Sequence, residues 1–354
     1  MHTLPLEHRT ELPFESRGPL SAALLACLTG EPGSCSSELP ELALAATEDA
    51  DAIRDDDIQL SLFALYAVTY GSLEQFAAEW EWDLDLLRTR ATLEAAFESA
   101  VRSAVEVPEE PEPTADAVAA RLFELTAPSS GPSLSRFFAK RATLAQALEF
   151  LAQRSVYTLR EADAHSWTIP RLTGRSKAAL LEIQADEYGG GRAERMHQTI
   201  YAQTLRGAGL DDRYGAYVDH VPAITLASFN LMTMFGLHRR LRGASVGHLA
   251  AFEMTSSIPC RFYGDGLRRL GFGPDVTWYY DEHVEADAVH EQIAGRDLAG
   301  ALAEDDPALV PDILFGAAAC LTIDGWAADH MLECFEAGRS SLRRALPVGP
   351  EARA

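Results

Sequence analysis

Apolar residues recur at intervals of three and four positions through nearly every long segment of the chain, whereas alternating runs of β-branched residues are almost absent. An interval of three to four places apolar side chains on one face of a helix, while a half-buried strand requires an interval of two. Apolar residues make up 47% of the 354 residues, which is enough for a large buried core. The sequence therefore predicts an ordered, all-α protein.

One segment interrupts the helical pattern and divides the chain. Residues 106–132 combine prolines with acidic residues, a composition that disfavours helix and packs poorly. We expect residues 1–105 to form an N-terminal helical accessory region and residues 106–132 to be a linker that contains one short helix. Residues 133–346 are then the core, and residues 347–354 are a disordered tail.

The core pattern predicts a succession of helices separated by helix-breaking residues. Three consecutive glycines, Gly189 to Gly191, should break the chain sharply, Pro259 should separate two helices, and Gly295 should follow the end of another. The predicted helices span 144–162, 176–187, 193–208, 222–241, 246–257, 263–270, 277–293, 311–319 and 327–344.

The charge of the chain argues against nucleic acid as a partner. Lys and Arg total 30 against 53 Asp and Glu, so the formal net charge of −23 repels phosphate backbones. The apolar stretch at residues 20–28 is too short to span a bilayer, and the acidic, His-containing leader before it is unlike that of a secretory signal. We expect a cytoplasmic protein with neither a nucleic-acid nor a membrane partner.

The cysteines indicate no thiol-based chemistry. The five cysteines are Cys27, Cys35, Cys260, Cys320 and Cys334. Their number is odd, they are widely scattered along the chain, and no two of them form a CxxC motif. This spacing predicts neither a disulfide framework nor a thiolate zinc site.

The sharpest feature of the sequence is HVEADAVH at residues 283–290. His283, Asp287 and His290 occupy positions i, i+4 and i+7, which fall within about 60° of arc on one helix face. Their neighbours are small or apolar, so we expect this face to be buried. Burying imidazole and carboxylate groups without a partner costs free energy of folding. A bound metal ion would satisfy all three side chains, and a solvated acidic face is the alternative.

Two further segments contain candidate ligands. Glu253 lies in the apolar sequence AAFEMTSS at residues 250–257, where a residue on the helix surface is the alternative. Glu187 and His197 flank the three glycines. Ten residues of straight helix would separate them by about 15 Å, but the glycines can let the chain fold back between them. A plain helix-loop-helix corner is the alternative for this segment.

These six residues offer three imidazoles, three carboxylates and no thiolate, a set that suits iron or manganese in a helical bundle better than structural zinc. Two divalent ions bring four positive charges against three carboxylates, so a buried dinuclear centre would favour a fourth anion. Glu161, in the long helix that precedes Glu187, is the candidate for that role. A solvent-facing glutamate is the alternative.

Three motifs carry a resemblance to a known family. In order and spacing they resemble those of the haem-oxygenase-like diiron oxidases, which have a helical bundle and, in longer members, an N-terminal helical extension. The motifs are DEYGGGRAERMH at 186–197, AAFEMTSS at 250–257 and YYDEHVEADAVHE at 279–291. The resemblance implies that the iron ligands are Glu187, His197, Glu253, His283, Asp287 and His290, and it matches Glu161 to an additional carboxylate of the N-oxygenating members.

The resemblance also implies a function. It indicates an O2-activating nonhaem diiron oxidase or oxygenase of natural-product biosynthesis, with two Fe(II)/Fe(III) ions as the cofactor, O2 as co-substrate and an external electron donor. Glu161 favours N-oxygenation of an amine or guanidine of a small, amino-acid-like substrate. Oxidative C–C cleavage or desaturation of an amino or fatty acid by the same site stays open, as do a non-catalytic metal-binding helical protein and a homodimeric state.

Overall fold

The computed structural model of the protein describes residues 12, 14–35, 38–128 and 130–346, with residues 285–289 described in their backbone only. These residues form helices joined by turns, and no strand occurs among them. The prediction of an all-α protein is confirmed. The predicted disordered tail lies outside the described residues.

The helices are numbered in chain order. The α-helices are α1 (Pro19–Thr29), α2 (Leu39–Thr47), α3 (Asp56–Tyr70), α4 (Leu84–Ala104), α5 (Ala115–Leu125), α6 (Leu134–Lys140), α7 (Leu144–Thr158), α8 (Asp163–Ser166), α9 (Gly174–Glu187), α10 (His197–Gly207), α11 (Ala223–Leu237), α12 (Arg242–Arg269), α13 (Pro274–Gln292), α14 (Ala301–Asp305) and α15 (Val310–Glu336). A π-helical stretch, Ile293–Gly300, joins α13 to α14. Short 3-10 turns lie at Ala78–Trp82, Ile169–Arg171, Gly189–Gly191, Ala193–Arg195, Val218–His220, Arg239–Leu241 and Pro307–Leu309.

The N-terminal helices α1 to α4 form a layer whose α3 packs against α11. Both α3 and α11 are apolar and buried around nearly their whole circumference, as expected for helices covered on two sides. The ring centroids of Phe63 in α3 and Phe229 in α11 lie 6.1 Å apart. Beside them, the buried Asn230 amide donates hydrogen bonds to the backbone and side-chain oxygens of Gln59, at 2.9 and 2.8 Å. One apolar cluster therefore joins this layer to the helices that follow.

The proline-rich segment contains one short helix, α5, which packs on the core instead of crossing solvent. Val118 and Leu122 of α5 are fully buried, and α5 contacts the π-helical stretch. A Cβ atom on Gly300 would come within 2.7 Å of the Ala115 backbone, so glycine permits this close approach. The backbone amide of Ala115 also donates a hydrogen bond to Glu304, at 2.9 Å.

Several predicted helix ends are wrong. Helix α12 continues through Pro259, and α15 runs without a break through the gap predicted between residues 319 and 327. Helix α13 passes into the π-helical stretch instead of ending before Gly295. Inside a helix, a proline removes one backbone hydrogen bond and its ring crowds the carbonyl of the preceding turn, and the packing of α12 against α13 and α15 compensates for this cost. Local sequence signals cannot register such tertiary contacts.

Helix α15 crosses α12 at very short distance. A Cβ atom on Gly247 would lie 1.8 Å from the carbonyl oxygen of Ile313, and one on Gly316 would lie 2.0 Å from that of Ala244. The helical stretch Pro307–Glu336 is long and apolar enough to cross a membrane, but 61% of its most apolar window is buried inside the fold. It is the apolar central helix of this core, packed against α11 and α12.

We expect Gly247→Ala to destabilise the protein, because its methyl group would collide with backbone that cannot rotate away. Overpacking of this kind costs about 1–3 kcal/mol, and more where only backbone can move. Gly325→Ala in α15 is the matched control, since its Cβ meets nothing within 4 Å and alanine favours helix by about 0.5–1 kcal/mol. Urea unfolding of both variants checks the prediction, and equal midpoints for Gly247→Ala and the native protein would contradict it.

One cysteine pair departs from the sequence prediction. Cys27 and Cys35 form a disulfide, with Cα atoms 4.9 Å apart. Gly33 adopts a positive φ of 86° in the turn between them, which lets the chain reverse within eight residues. A spacing of eight is not diagnostic of a disulfide, so the sequence offered no signal for this pair. Cys260, Cys320 and Cys334 are not part of a disulfide.

Candidate metal centre

Six of the seven predicted ligands lie in two adjacent groups. In each group, three atoms that can bind a metal lie within 4.8 Å of one another. Site A consists of Glu161, His197 and His283, and site B consists of Glu187, Glu253 and His290. The seventh predicted ligand, Asp287, lies on the same helix as His283 and His290, but its side chain is outside the described residues.

Helix α13 contributes one imidazole to each site. His283 belongs to site A and His290 to site B, and seven residues of helix separate them by about 10 Å along the axis. The predicted i, i+7 face of this helix therefore lines both sites. Glu253, from the middle of α12, faces this helix with its Oε2 atom 3.3 Å from His290 Nδ1.

The three glycines bring Glu187 and His197 together. Glu187 is the last residue of α9 and His197 the first of α10, and Gly189, Gly190 and Gly191 between them all have positive φ angles of 60–81°. A Cβ atom on Gly189 would lie 2.6 Å from the backbone of Arg195, so the fold-back requires glycine there. As a result, Glu187 Oε2 lies 2.9 Å from His197 Nδ1.

Glu187 is the residue that joins the two sites. It belongs to site B by its distances to Glu253 and His290, and it also contacts His197 of site A. Glu187 Oε2 and His197 Nδ1 are both buried, and neither has a hydrogen-bond partner among the described residues despite their short separation. A carboxylate in this position can bind metal in both sites at once.

Two tyrosines orient Glu161 in site A. The hydroxyls of Tyr157 and Tyr279 both donate to Glu161 Oε1, the second at 2.6 Å, while the buried Oε2 has no hydrogen-bond partner among the described residues. Burial would raise the pKa of Glu161, but His283 and His197 oppose it and lower the pKa to about 2. Glu161 is therefore an ionised carboxylate with one oxygen available to a cation. It lies in the turn after α7, which ends at Thr158, and not within the predicted long helix.

The two histidines of α13, His283 and His290, are each held through their second ring nitrogen. His283 Nδ1 donates to the backbone oxygen of Tyr279 at 2.7 Å, which leaves Nε2 facing Glu161 Oε1 at 3.6 Å. His290 Nε2 pairs with Asp186 Oδ2 at 2.9 Å, so its Nδ1 faces site B. Metal-binding histidines are commonly held in this way by a carbonyl or carboxylate.

The histidines lie in an anionic environment. Burial would lower the pKa of His290, but Glu253 and Asp186 raise it to about 9. Burial likewise opposes protonation of His197, and Glu187 raises its pKa. Both rings thus have carboxylate neighbours that stabilise a positive charge, which either a proton or a metal ion can supply.

The residues present fit a pair of metal ions. Nitrogen and carboxylate oxygen donors without thiolate are typical of iron and manganese sites in helical bundles. Unpaired buried polar atoms are costly, and a cation within each site would satisfy them together. Four such atoms point into the two sites: Glu161 Oε2, Glu187 Oε2, His197 Nδ1 and His290 Nδ1.

A cavity of about 210 Å³ adjoins both sites. Glu161, Glu187, Glu253 and His283 are among its lining residues, and apolar, aromatic, hydroxyl and charged side chains form the rest. A cavity of this size admits a small metabolite next to the candidate ligands.

The residues that support these ligands were not predicted from the sequence. Asp186 was part of the quoted motif, and its position next to Glu187 was the signal that could have assigned it to the site. Tyr157 and Tyr279 gave no comparable signal, because a tyrosine on an apolar helix face is ordinarily a packing residue. His248 is buried, with its Nδ1 atom 3.2 Å from His165 Nε2.

The comparison with protein families identifies the chain. A family model described as "Iron-containing redox enzyme" matches residues 148–325, which is half of the 354-residue chain. The chain belongs to this family. The resemblance inferred from the three motifs is thereby confirmed, together with the haem-oxygenase-like helical fold, and the chain is an oxidoreductase of the iron-containing class.

Two individual proteins are similar to parts of the chain. A nitrosourea synthase from Streptomyces achromogenes subsp. streptozoticus is 28% identical over 145 residues, which cover 40% of this chain and 31% of that protein. The chain thus matches less than a third of the length of this relative. A structure of a CADD-like protein of unknown function from Nostoc punctiforme is 14% identical, with a TM-score of 0.48 over 66% of this chain and 99% of that one.

Proposed function

We propose that the protein is an O2-activating nonhaem diiron oxygenase of natural-product biosynthesis that N-oxygenates an amine or guanidine of an amino-acid-like substrate. The observation that carries the proposal is that sites A and B share Glu187 and open onto one cavity. A purely structural metal site would need no adjoining cavity, because its ligands would enclose the ion.

The site residues suggest how each part of the chain would serve the reaction. Glu161, His197 and His283 would hold one iron, Glu253 and His290 would hold the other together with Asp287, and Glu187 would bind both. Bound iron would supply the electrons and Lewis acidity for reaction with O2, which organic side chains lack. Tyr157 and Tyr279 fix the orientation of Glu161 by hydrogen bonds.

The stoichiometry of such a reaction requires an external electron donor. Conversion of an amine to a hydroxylamine places one oxygen atom of O2 on nitrogen and reduces the other to water, which consumes two electrons and two protons. Oxidation of nitrogen is supported by the name of the nitrosourea synthase, since a nitrosourea contains an N-nitroso group. C–C cleavage or desaturation is the alternative outcome at the same centre, and we infer a cytoplasmic location for either.

Anaerobic loading with ferrous iron tests the proposal. We expect two irons per chain, and O2 consumption that rises when an amine substrate is present, with a product 16 mass units heavier by mass spectrometry. A stoichiometry of one or less, or O2 uptake that no amine or guanidine changes, would contradict the dinuclear oxygenase.

Glu161→Gln separates a role in the iron centre from a role in folding. Glutamine retains an oxygen that can accept the two tyrosine hydrogen bonds but lacks the charge that offsets oxidation of two ferrous ions. We therefore expect normal ferrous loading, followed by loss of one iron per chain after exposure to O2. Glu161→Asp should show a milder loss. The control is Glu182→Gln, an exposed position on α9, and iron retention in Glu161→Gln equal to that control would remove Glu161 from the centre.

A further inference from the structure

The wall of the cavity beyond the candidate ligands carries two residues of opposite charge. Arg154 lies on α7 and Asp324 on α15, and both line the cavity of about 210 Å³ that adjoins sites A and B. Both also line a smaller adjoining cavity of about 60 Å³, which is lined by none of the six candidate ligands whose side chains the structure describes. The two charged groups therefore lie where the two cavities meet.

Arg154 is a cation without an anionic partner. Its guanidinium lies over the Tyr157 ring, 4.6 Å from the centroid, and forms no hydrogen bond or ion pair with any residue that the structure describes. Burial would lower the pKa of this guanidinium, but Tyr157 and other neighbours, including Asp324, raise it above its usual value. A charged guanidinium in such a position is costly unless an anion compensates it.

Asp324 is the complementary acceptor. The Ser228 hydroxyl donates a hydrogen bond to its Oδ1 atom, and Oδ2 accepts none from the described part of the chain. Burial raises the pKa of Asp324, while the Ser228 hydrogen bond opposes that rise. A cationic donor placed at Oδ2 would stabilise the charged carboxylate and add to its hydrogen bonding.

Arg154 and Asp324 do not pair with each other, although both line the same two cavities. Opposite charges held in one enclosure without direct contact are suited to a ligand that carries both charges on neighbouring atoms. We propose that Arg154 and Asp324 are specificity-determining residues that bind the carboxylate and the ammonium group of a free α-amino acid. This inference deepens the proposed function and rests on it for the fate of the amino-acid side chain, which would extend towards Glu161 and Glu253.

The same arrangement discriminates against other substrate classes. A fatty acid could satisfy Arg154 but would place its alkyl chain against the Asp324 carboxylate. A simple amine could satisfy Asp324 but would leave the guanidinium without an anion. Each mismatch leaves a partly buried charged group unpaired, and sites built for polar recognition reject ligands for this reason. Phe150 and Tyr263 line both cavities and can pack against the aliphatic part of an amino acid.

Isothermal titration with matched ligands tests the inference. The probes are the twenty common L-amino acids, and for lysine and arginine also the analogues without the carboxylate, cadaverine and agmatine, and without the α-ammonium, 6-aminohexanoate and 5-guanidinopentanoate. Dodecanoate represents fatty acids. We expect at least one amino acid with a basic side chain to bind, and each of its two analogues and dodecanoate to bind at least tenfold more weakly. If no amino acid binds, or if the analogues bind equally well, the inference is wrong.

Two variants test which charged group of the amino acid each residue binds. With Arg154→Met, the amino acid should bind no better than its decarboxylated analogue. With Asp324→Asn, it should bind no better than its deaminated analogue. A merely structural role would weaken all three ligands in parallel and so would overturn the assignment. Arg88→Met on α4 and Asp329→Asn on α15 are exposed matched controls that should retain native selectivity, and circular dichroism of each variant checks the fold.

The titrations are carried out without O2, both on metal-free protein and on ferrous-loaded protein. Recognition of the two charged groups requires neither iron nor O2, so we expect charge selectivity in both forms. If the protein binds the amino acid but fails to load two irons, the proposed function is wrong and the binding assignment stands. If it loads two irons and consumes O2 but shows no charge-selective binding, the binding assignment alone is wrong.

Discussion

Glu187→Ala should reduce the iron content of the protein from two ions per chain to less than one, the largest effect expected of a single substitution in the centre. Glu187 Oε2 lies 2.9 Å from His197 in site A, and the same carboxylate is grouped with Glu253 and His290 in site B. Loss of this side chain removes a candidate ligand from both sites at once. Anaerobic ferrous loading followed by metal analysis measures the effect.

Two companion variants make this result specific. Glu253→Ala removes a carboxylate from site B alone, so we expect it to retain the iron at site A and to bind about half as much metal. Glu182→Ala, at an exposed position on the same helix as Glu187, should load normally. A Glu187→Ala protein that retains two irons, or that loses only as much as Glu253→Ala, would show that this carboxylate is not shared.

The sequence was sufficient to place most of the candidate ligands, because their spacing reflects helical geometry. The interval from His283 to His290 puts both on one face of α13 whatever surrounds that helix, and glycine permits the reversal between Glu187 and His197 in any context. Such local rules depend only on the backbone. They also predicted the all-α class, since an interval of three to four excludes strands.

Features that depend on distant contacts were beyond local rules. Arg154 and Asp324 are 170 positions apart in the sequence, and only the packing of α7 and α15 places both on one cavity. Tyr279 serves the centre because its hydroxyl donates a hydrogen bond to Glu161, which is 118 positions away in the sequence. Local rules predict that a helix ends before Pro259. Helix α12 continues through this residue because the neighbouring helices stabilise it.

Deletion of residues 1–105 should abolish stable folding, which is the largest effect expected on stability. In the native protein, α3 covers α11, and the shared core includes Leu60, Phe63, Leu226 and Phe229, each no more than 1% exposed. Each large apolar side chain contributes about 1.5–3 kcal/mol when buried. Exposing several of them exceeds the roughly 5–15 kcal/mol by which a protein of this kind is stable. Yield in the soluble fraction and the cooperativity of thermal unfolding measure the outcome.

The position of the cut and a rescue experiment distinguish lost packing from lost metal ligands. The deletion should end before α5, because Val118 and Leu122 belong to the core that supports α9 and α12. Neither candidate site uses a residue from the described part of the deleted region. Coexpression of residues 1–105 as a separate chain should therefore restore both folding and iron binding to residues 106–354. A truncated protein that folds cooperatively by itself would contradict the requirement for the layer, and one that folds but binds no iron would indicate a ligand within it.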